Sequence, residues 1–204
     1  MNGHIDELWP LGYRIGMIDK IPTFDDKKLL AIEENATRLL KVGNDKQRAN
    51  AESVLAAIVA ERQRRKGDAV DRRKQYVADV ADKVRDKGLL DRVLLAFTEI
   101  PPEQWEAEVL KEIAFNPGQD GSAIARAIGK KDVGYINLAV GGLCRTRELY
   151  LGVAPELERR KGEKTYSGLL IDFAPHEEPG GSRWFGWTLK PEAHAALKQL
   201  GIVE

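Results

Sequence analysis

One cysteine in 204 residues, Cys144, rules out an intramolecular disulfide and any Cys-ligated zinc site, and it suits a reducing, cytoplasmic setting. An excess of one charge sign is missing too. Thirty-two Lys and Arg balance 32 Asp and Glu, so the field of the whole chain draws it to neither nucleic acid nor anionic lipid, and any such partner has to meet a local patch. No 18 uncharged apolar residues occur in a row, and Met1-Asn-Gly-His-Ile-Asp-Glu7 lacks a basic stretch followed by an apolar one. Both absences argue against a membrane span and a secretion signal. Histidines are few (His4, His176 and His194), with no His-x-x-x-His spacing for a metal. Glycines nowhere form a Gly-x-Gly-x-x-Gly or a phosphate loop ending in Lys-Ser/Thr. Neither catalysis, a cofactor nor a metal is expected. Cys144, beside Leu143 on a helical run, reads as a small buried hydrophobe.

What the chain does have is a 43% hydrophobic fraction, enough for a real core, and 31% charged residues, which together predict a soluble, mainly helical protein. Residues 1–23 are punctuated by Pro10, Gly12, Gly16 and Pro22 and read as an N-terminal extension. Thr23-Phe-Asp-Asp26 reads as an N-cap with an acidic residue three positions on, and Leu29, Leu30, Ile32, Ala36, Leu39 and Leu40 continue at helical spacing to about 41. Gly43-Asn44 breaks the run. Ala51, Val54, Leu55, Ile58 and Val59 mark a second helix that ends in Arg62-Gln-Arg-Arg-Lys66 and Gly67. So short a link predicts an antiparallel helical hairpin over 24–66. A third helix, 69–87, carries Val70, Val77, Val80, Ala81 and Val84, and a fourth runs to Ile100. Pro101-Pro102 then removes two backbone donors and is the expected domain boundary or elbow, leaving 24–100 as a helical, dimerisation-suited region and 103–204 as a second domain.

Beyond the prolines the pattern changes. Trp105, Val109, Leu110 and Ile113 make an amphipathic helix that stops at Asn116-Pro-Gly118. Ser122 is expected to cap a short helix ending at Gly129, and Lys130-Lys-Asp132 leads into a third helix with Val133, Ile136, Val140 and Leu143 on its buried face. Residues 165–173 and 183–189 are β-rich runs around Ala174-Pro-His-Glu-Glu-Pro-Gly-Gly-Ser182, which predicts a hairpin. Pro191 opens a closing helix. Between Arg126 and Lys164 nine basic residues face five acidic ones, the one marked local excess.

The order of these elements over about 103–203, half the chain, resembles a winged helix-turn-helix domain. Two stretches carry the resemblance: Gly121-Ser-Ala-Ile-Ala-Arg-Ala-Ile-Gly129, and Trp187-Thr-Leu-Lys-Pro-Glu-Ala-His-Ala-Ala-Leu197. The second is similar to the aromatic-x-Leu-Thr-Pro-x-Gly strand-to-helix ending of winged-helix regulators. The upstream helices carry no family resemblance. The resemblance implies a mainly α fold, an antiparallel helical region followed by a winged domain with a small β-hairpin wing. It further implies double-stranded DNA as partner, read by a helix at 132–148 whose outward face holds Gly134, Asn137, Leu138, Gly141 and Arg145. Asn137 and Arg145 would pair with base edges. Arg126, Lys130, Lys131 and Arg147 would meet phosphates, with Arg159, Arg160, Lys161, Lys164 and Arg183 completing the expected DNA-binding set. Such a protein would be a transcriptional regulator or nucleoid-associated factor, suited to homodimerisation on two half-sites.

A second reading keeps the same domain as a protein-interaction or assembly module, favoured by zero net charge and by Glu177 and Glu178 in the wing loop. Arg62–Lys66 and Arg72–Lys74 read as solvated helix ends rather than a second basic site. Trp105, Trp184, Phe185 and Trp187 read as core rather than base-stacking surfaces.

Overall fold

The structure, a computed structural model, describes the backbone of residues 17–157, 160–177 and 183–204, and the side chains of these except 156, 157, 160–163, 177, 183 and 184. The chain divides into two compact units, Met1–Gln75 and Tyr76–Glu204. The boundary is therefore not at Pro101-Pro102, which forms an elbow inside the second unit.

In the first unit, helix α1 (Asp26–Val42) and the first part of α2 (Asp45–Val84) form the expected antiparallel hairpin. The α1 cap is Asp25, accepting from the Lys28 N–H at 2.7 Å, and not Thr23. A reciprocal pair starts α2: the Asn44 N–H donates to Gln47 Oε1 and the Gln47 N–H to Asn44 Oδ1, both at 2.9 Å. Leu29, Ala36, Ala51, Val54 and Ile58 pack with Ile21 of a 3-10 turn, Ile18–Thr23, and with Met17 just before it. Charge pairs fix the register. Arg62 donates twice to Glu33, at 2.9 and 2.7 Å, and Arg65 reaches Asp26 at 2.9 Å.

Gly67 was expected to separate two helices, yet α2 runs through it for 40 residues. One interior glycine costs about 1 kcal/mol against alanine. Side-chain pairs on either side offset that cost: Arg64 bonds Glu61 and Asp68, and Arg65 bonds Glu61, all at i,i+3 or i,i+4. Arg62 to Lys66 and Arg72 to Lys74 accordingly sit within a helix and not at its ends.

The second unit is mainly helical with a small antiparallel sheet. Helix α3 (Leu89–Glu99) turns through the prolines into α4 (Gln104–Phe115), which a Glu103/Glu106 capping box opens. Strand β1 (Gln119–Asp120) leads straight into α5 (Gly121–Ala127). Asp120, not Ser122, caps α5, accepting from the N–H groups of Ser122 and Ala123. The turn after α5 uses Gly129 at φ 73°, a left-handed backbone that favours glycine. Helix α6 (Val133–Thr146) follows, capped by Asp132.

Before the hairpin come a four-residue helix α7 (Glu148–Leu151), a small pair β2 (Glu156–Leu157) and β3 (Arg160–Lys164), and a 3-10 turn, Tyr166–Leu169. That turn replaces the start of the expected strand at 165. Strands β4 (Ile171–Glu177) and β5 (Arg183–Leu189) pair from Ile171 opposite Leu189 to Glu177 opposite Arg183. Strand β1 lies on the other edge of β5, giving the order β1-β5-β4. Helix α8 (Pro191–Gln199) packs back on α3. Val109, Leu110, Ile113, Ile124, Ile136, Val140, Leu143 and Leu197 lie at the centre of one core. No helix among the described residues is long and apolar enough to cross a membrane.

Candidate nucleic-acid interface

Helix α6 is held by its apolar stripe. Ile136, Val140 and Leu143 are buried as the periodicity requires, whereas Val133, at the first turn, is exposed. The opposite face carries Asn137, Leu138, Gly142 and Arg145, all exposed, with Gly141 half-buried. Leu138 is 75% exposed, a large apolar side chain turned to solvent. A Cβ built on Gly141 or Gly142 would meet no atom within 4 Å, so nothing inside the fold demands glycine there. Their effect is on the outside, where the helix backbone is bare and another molecule can approach closely.

Four exposed cations lie on α6 or in the segment that leads into it. Arg126 leaves the end of α5, Lys130 and Lys131 lie in the turn, and Arg145 is on the last turn of α6; none makes an ion pair among the described residues. Aromatic rings support two of them. Lys130 Nζ sits 4.7 Å from the centre of the Tyr135 ring, which is itself 5.7 Å from Trp105, and the Arg145 guanidinium is 5.8 Å from the Tyr166 ring. No protein-family model, curated protein or solved structure matches the chain. The chemistry of the face itself is what bears on function. The exposed side of α6 carries one amide, one exposed leucine and Arg145, and the segment before it adds three exposed cations with no ion pair among the described residues. Such a surface suits an extended anion.

Arg147 is a correction to the expected set. Its side chain is buried, 1% exposed, and faces inward with Val140 and Leu143. Its Nε donates to the Ile100 carbonyl at 2.9 Å, Nη2 to the Pro101 carbonyl at 3.0 Å, and Nη1 to the Leu143 carbonyl at 2.8 Å. The Phe97 ring lies 4.7 Å from its guanidinium, and Glu106 is 3.7 Å away. Burial lowers its pKa, against the pull of Glu106. Arg147 therefore ties the end of α6 to the prolyl elbow and is out of reach of any phosphate. The signal was in the spacing: 136, 140, 143 and 147 form one helical stripe.

Lys164 is exposed but lies 3.4 Å from Glu148, which partly neutralises it. Arg159 lies outside the described residues, and of Arg160, Lys161 and Arg183 only the backbone, in β3 and β5, is described. Thus Arg126, Lys130, Lys131, Asn137 and Arg145 are all exposed, on α5, the turn after it and α6. Sequence reasoning missed Tyr135 and Tyr166, whose rings position two of the cations. Tyr135 has a legible signal, since it stands five residues after Lys130 at the start of α6.

Trp187 is core, as expected, with Phe173 edge-on at 5.0 Å, while Phe185 is 45% exposed. Cys144 is buried, and desolvation pushes its thiol up to about 12 against the opposing effect of Arg147. Among the described residues no three His, Cys, Asp or Glu side chains gather as a metal site would need.

Proposed function

We propose that the C-terminal unit binds duplex DNA, with α6 laid in the major groove in the manner of a winged helix-turn-helix, and that the protein acts as a transcriptional regulator or nucleoid-associated factor. The observation that carries this reading is the set of unpaired cations, Arg126, Lys130, Lys131 and Arg145, around a bare helix face. The chain order α4, β1, α5, turn, α6, hairpin supports the winged form of the reading, as does the pairing of β1 with β5, which ties the hairpin base to α5. In this reading Asn137 and Arg145 meet base edges, Arg126, Lys130 and Lys131 meet phosphates, and Leu138 lies against bases. As a homodimer the protein would address two half-sites about one helical turn apart. Sedimentation finding only monomer, bound one per site, would contradict that part.

Charge reversal tests the interface. Lys130→Glu with Arg145→Glu is expected to abolish binding to a labelled duplex while leaving the thermal transition in place, because both side chains are exposed and neither is ion-paired among the described residues. Unchanged binding would remove α6 from the interface.

A further inference from the structure

The second unit also carries a groove of about 610 Å³ whose chemistry is opposite in sign. One wall is the outer stripe of α4, formed by Glu108, Lys111, Glu112 and Phe115 at i, i+3, i+4 and i+7. Those residues alternate with Val109, Leu110 and Ile113, which face the core, so the groove lies on the side of α4 turned away from it. Ala114, Ile128, His194 of α8 and Glu204 complete the lining.

Two features set this groove apart. Phe115 is 80% exposed on the last turn of α4, more than any other aromatic side chain among the described residues. Among the described residues Glu108, Glu112 and Glu204 make no ion pair, even though Lys111 and His194 line the same groove. Among the described residues the Glu112 side chain accepts only from the Asn116 side chain, at 2.7 Å, and that of Glu108 only from Gln104, at 3.3 Å. An uncovered aromatic ring bordered by uncompensated carboxylates repels nucleic acid and attracts a cationic surface with an apolar edge.

We propose that this groove docks a basic amphipathic helix of a partner protein. Its apolar edge covers Phe115 and Ile128, and its Lys and Arg side chains face Glu108, Glu112 and Glu204. The groove runs beside helices and offers no free strand edge, which favours a helix over an extended peptide. Its open form suits a segment lying along it better than a small molecule, which needs deeper enclosure. The inference does not rest on the DNA reading, because the two faces share no residue.

The probe is a labelled helix-forming peptide of about sixteen residues, roughly 24 Å long, with Leu at i, i+3, i+4 and i+7 and Lys elsewhere. It is titrated into the full chain beside a peptide in which Glu replaces every Lys, and a scrambled Lys/Leu peptide. Expected is binding in the micromolar range by the first peptide and at least a roughly tenfold loss with either control. Phe115→Ser and Glu112→Lys, both outside the core, are each expected to weaken the first peptide by roughly tenfold or more while leaving the melting transition unchanged. Binding insensitive to both variants, or no binding at all, would overturn the proposal. So would a concentration-dependent dimer of the chain alone that Phe115→Ser abolishes, since the occupant would then be a second copy.

Discussion

Arg147 brings a charge into a place where water is nearly excluded, and three backbone carbonyls compensate it. Two of these, from Ile100 and Pro101, follow the end of α3, where the prolines that come next supply no N–H groups of their own. Arg147→Met keeps the bulk but orphans those carbonyls, and a loss of about 3 kcal/mol in chemical denaturation is expected. DNA affinity of the folded variant should not change, and a selective loss of affinity would return Arg147 to the interface. Glu61 is the counterpart in the first unit. Hydrogen bonds from Arg64 and then Arg65 hold its carboxyl down at about 2, from an ordinary 4.5. A depressed folded pKa means the stabilisation is complete above about pH 4.5 and is lost as the pH falls through about 2. Melting temperature should therefore decline over that window in the native chain, and the decline should be smaller in Glu61→Gln. Equal declines would show that other carboxylates dominate acid unfolding.

At the level of elements, periodicity made most of the helices legible, because each buries one stripe and stops at a recognisable break such as Gly43, Gly129 or Pro101. What misled was glycine treated as a stop wherever it occurs. Gly67 lies in a helix interior with nothing near its absent Cβ, and the pairs around it carry the helix through. Gly67→Ala is expected to raise stability by about 1 kcal/mol, and a lowered melting temperature would contradict the continuous helix. Gly141→Ala should stabilise α6 by a similar amount but weaken duplex binding, since the added methyl stands on the bare face. If affinity instead held steady, close backbone approach at that point would be refuted. The caps of α1 and α5 were misplaced by two residues because Asp and Ser or Thr stand close together, and only geometry decides which oxygen meets the N–H groups. The strand β1 was invisible for a simpler reason: two residues, Gln119 and Asp120, carry no periodicity, and the pairing that makes them a strand comes from Trp187 and Gly186.

For the whole molecule, zero net charge conceals local excesses within the second unit: exposed cations on α6 and the segment before it, and carboxylates along the outer side of α4, without ion pairs among the described residues. The surplus between Arg126 and Lys164 pointed to the first of these from sequence. Nothing in sequence separated Arg147 from the exposed cations except its place on the buried stripe, and the acidic groove depends on residues 108 and 204 meeting in space. The central claim is that the α6 face meets phosphates, and salt tests it most directly. Three or four phosphate contacts per chain predict that fluorescence anisotropy of a mixed-sequence duplex will give an affinity roughly 40- to 150-fold weaker at about 200 mM salt than at about 50 mM. The Lys130→Glu, Arg145→Glu chain should not bind at either concentration. Binding that ignores salt, or a native chain that fails to bind even at low salt, would contradict the account.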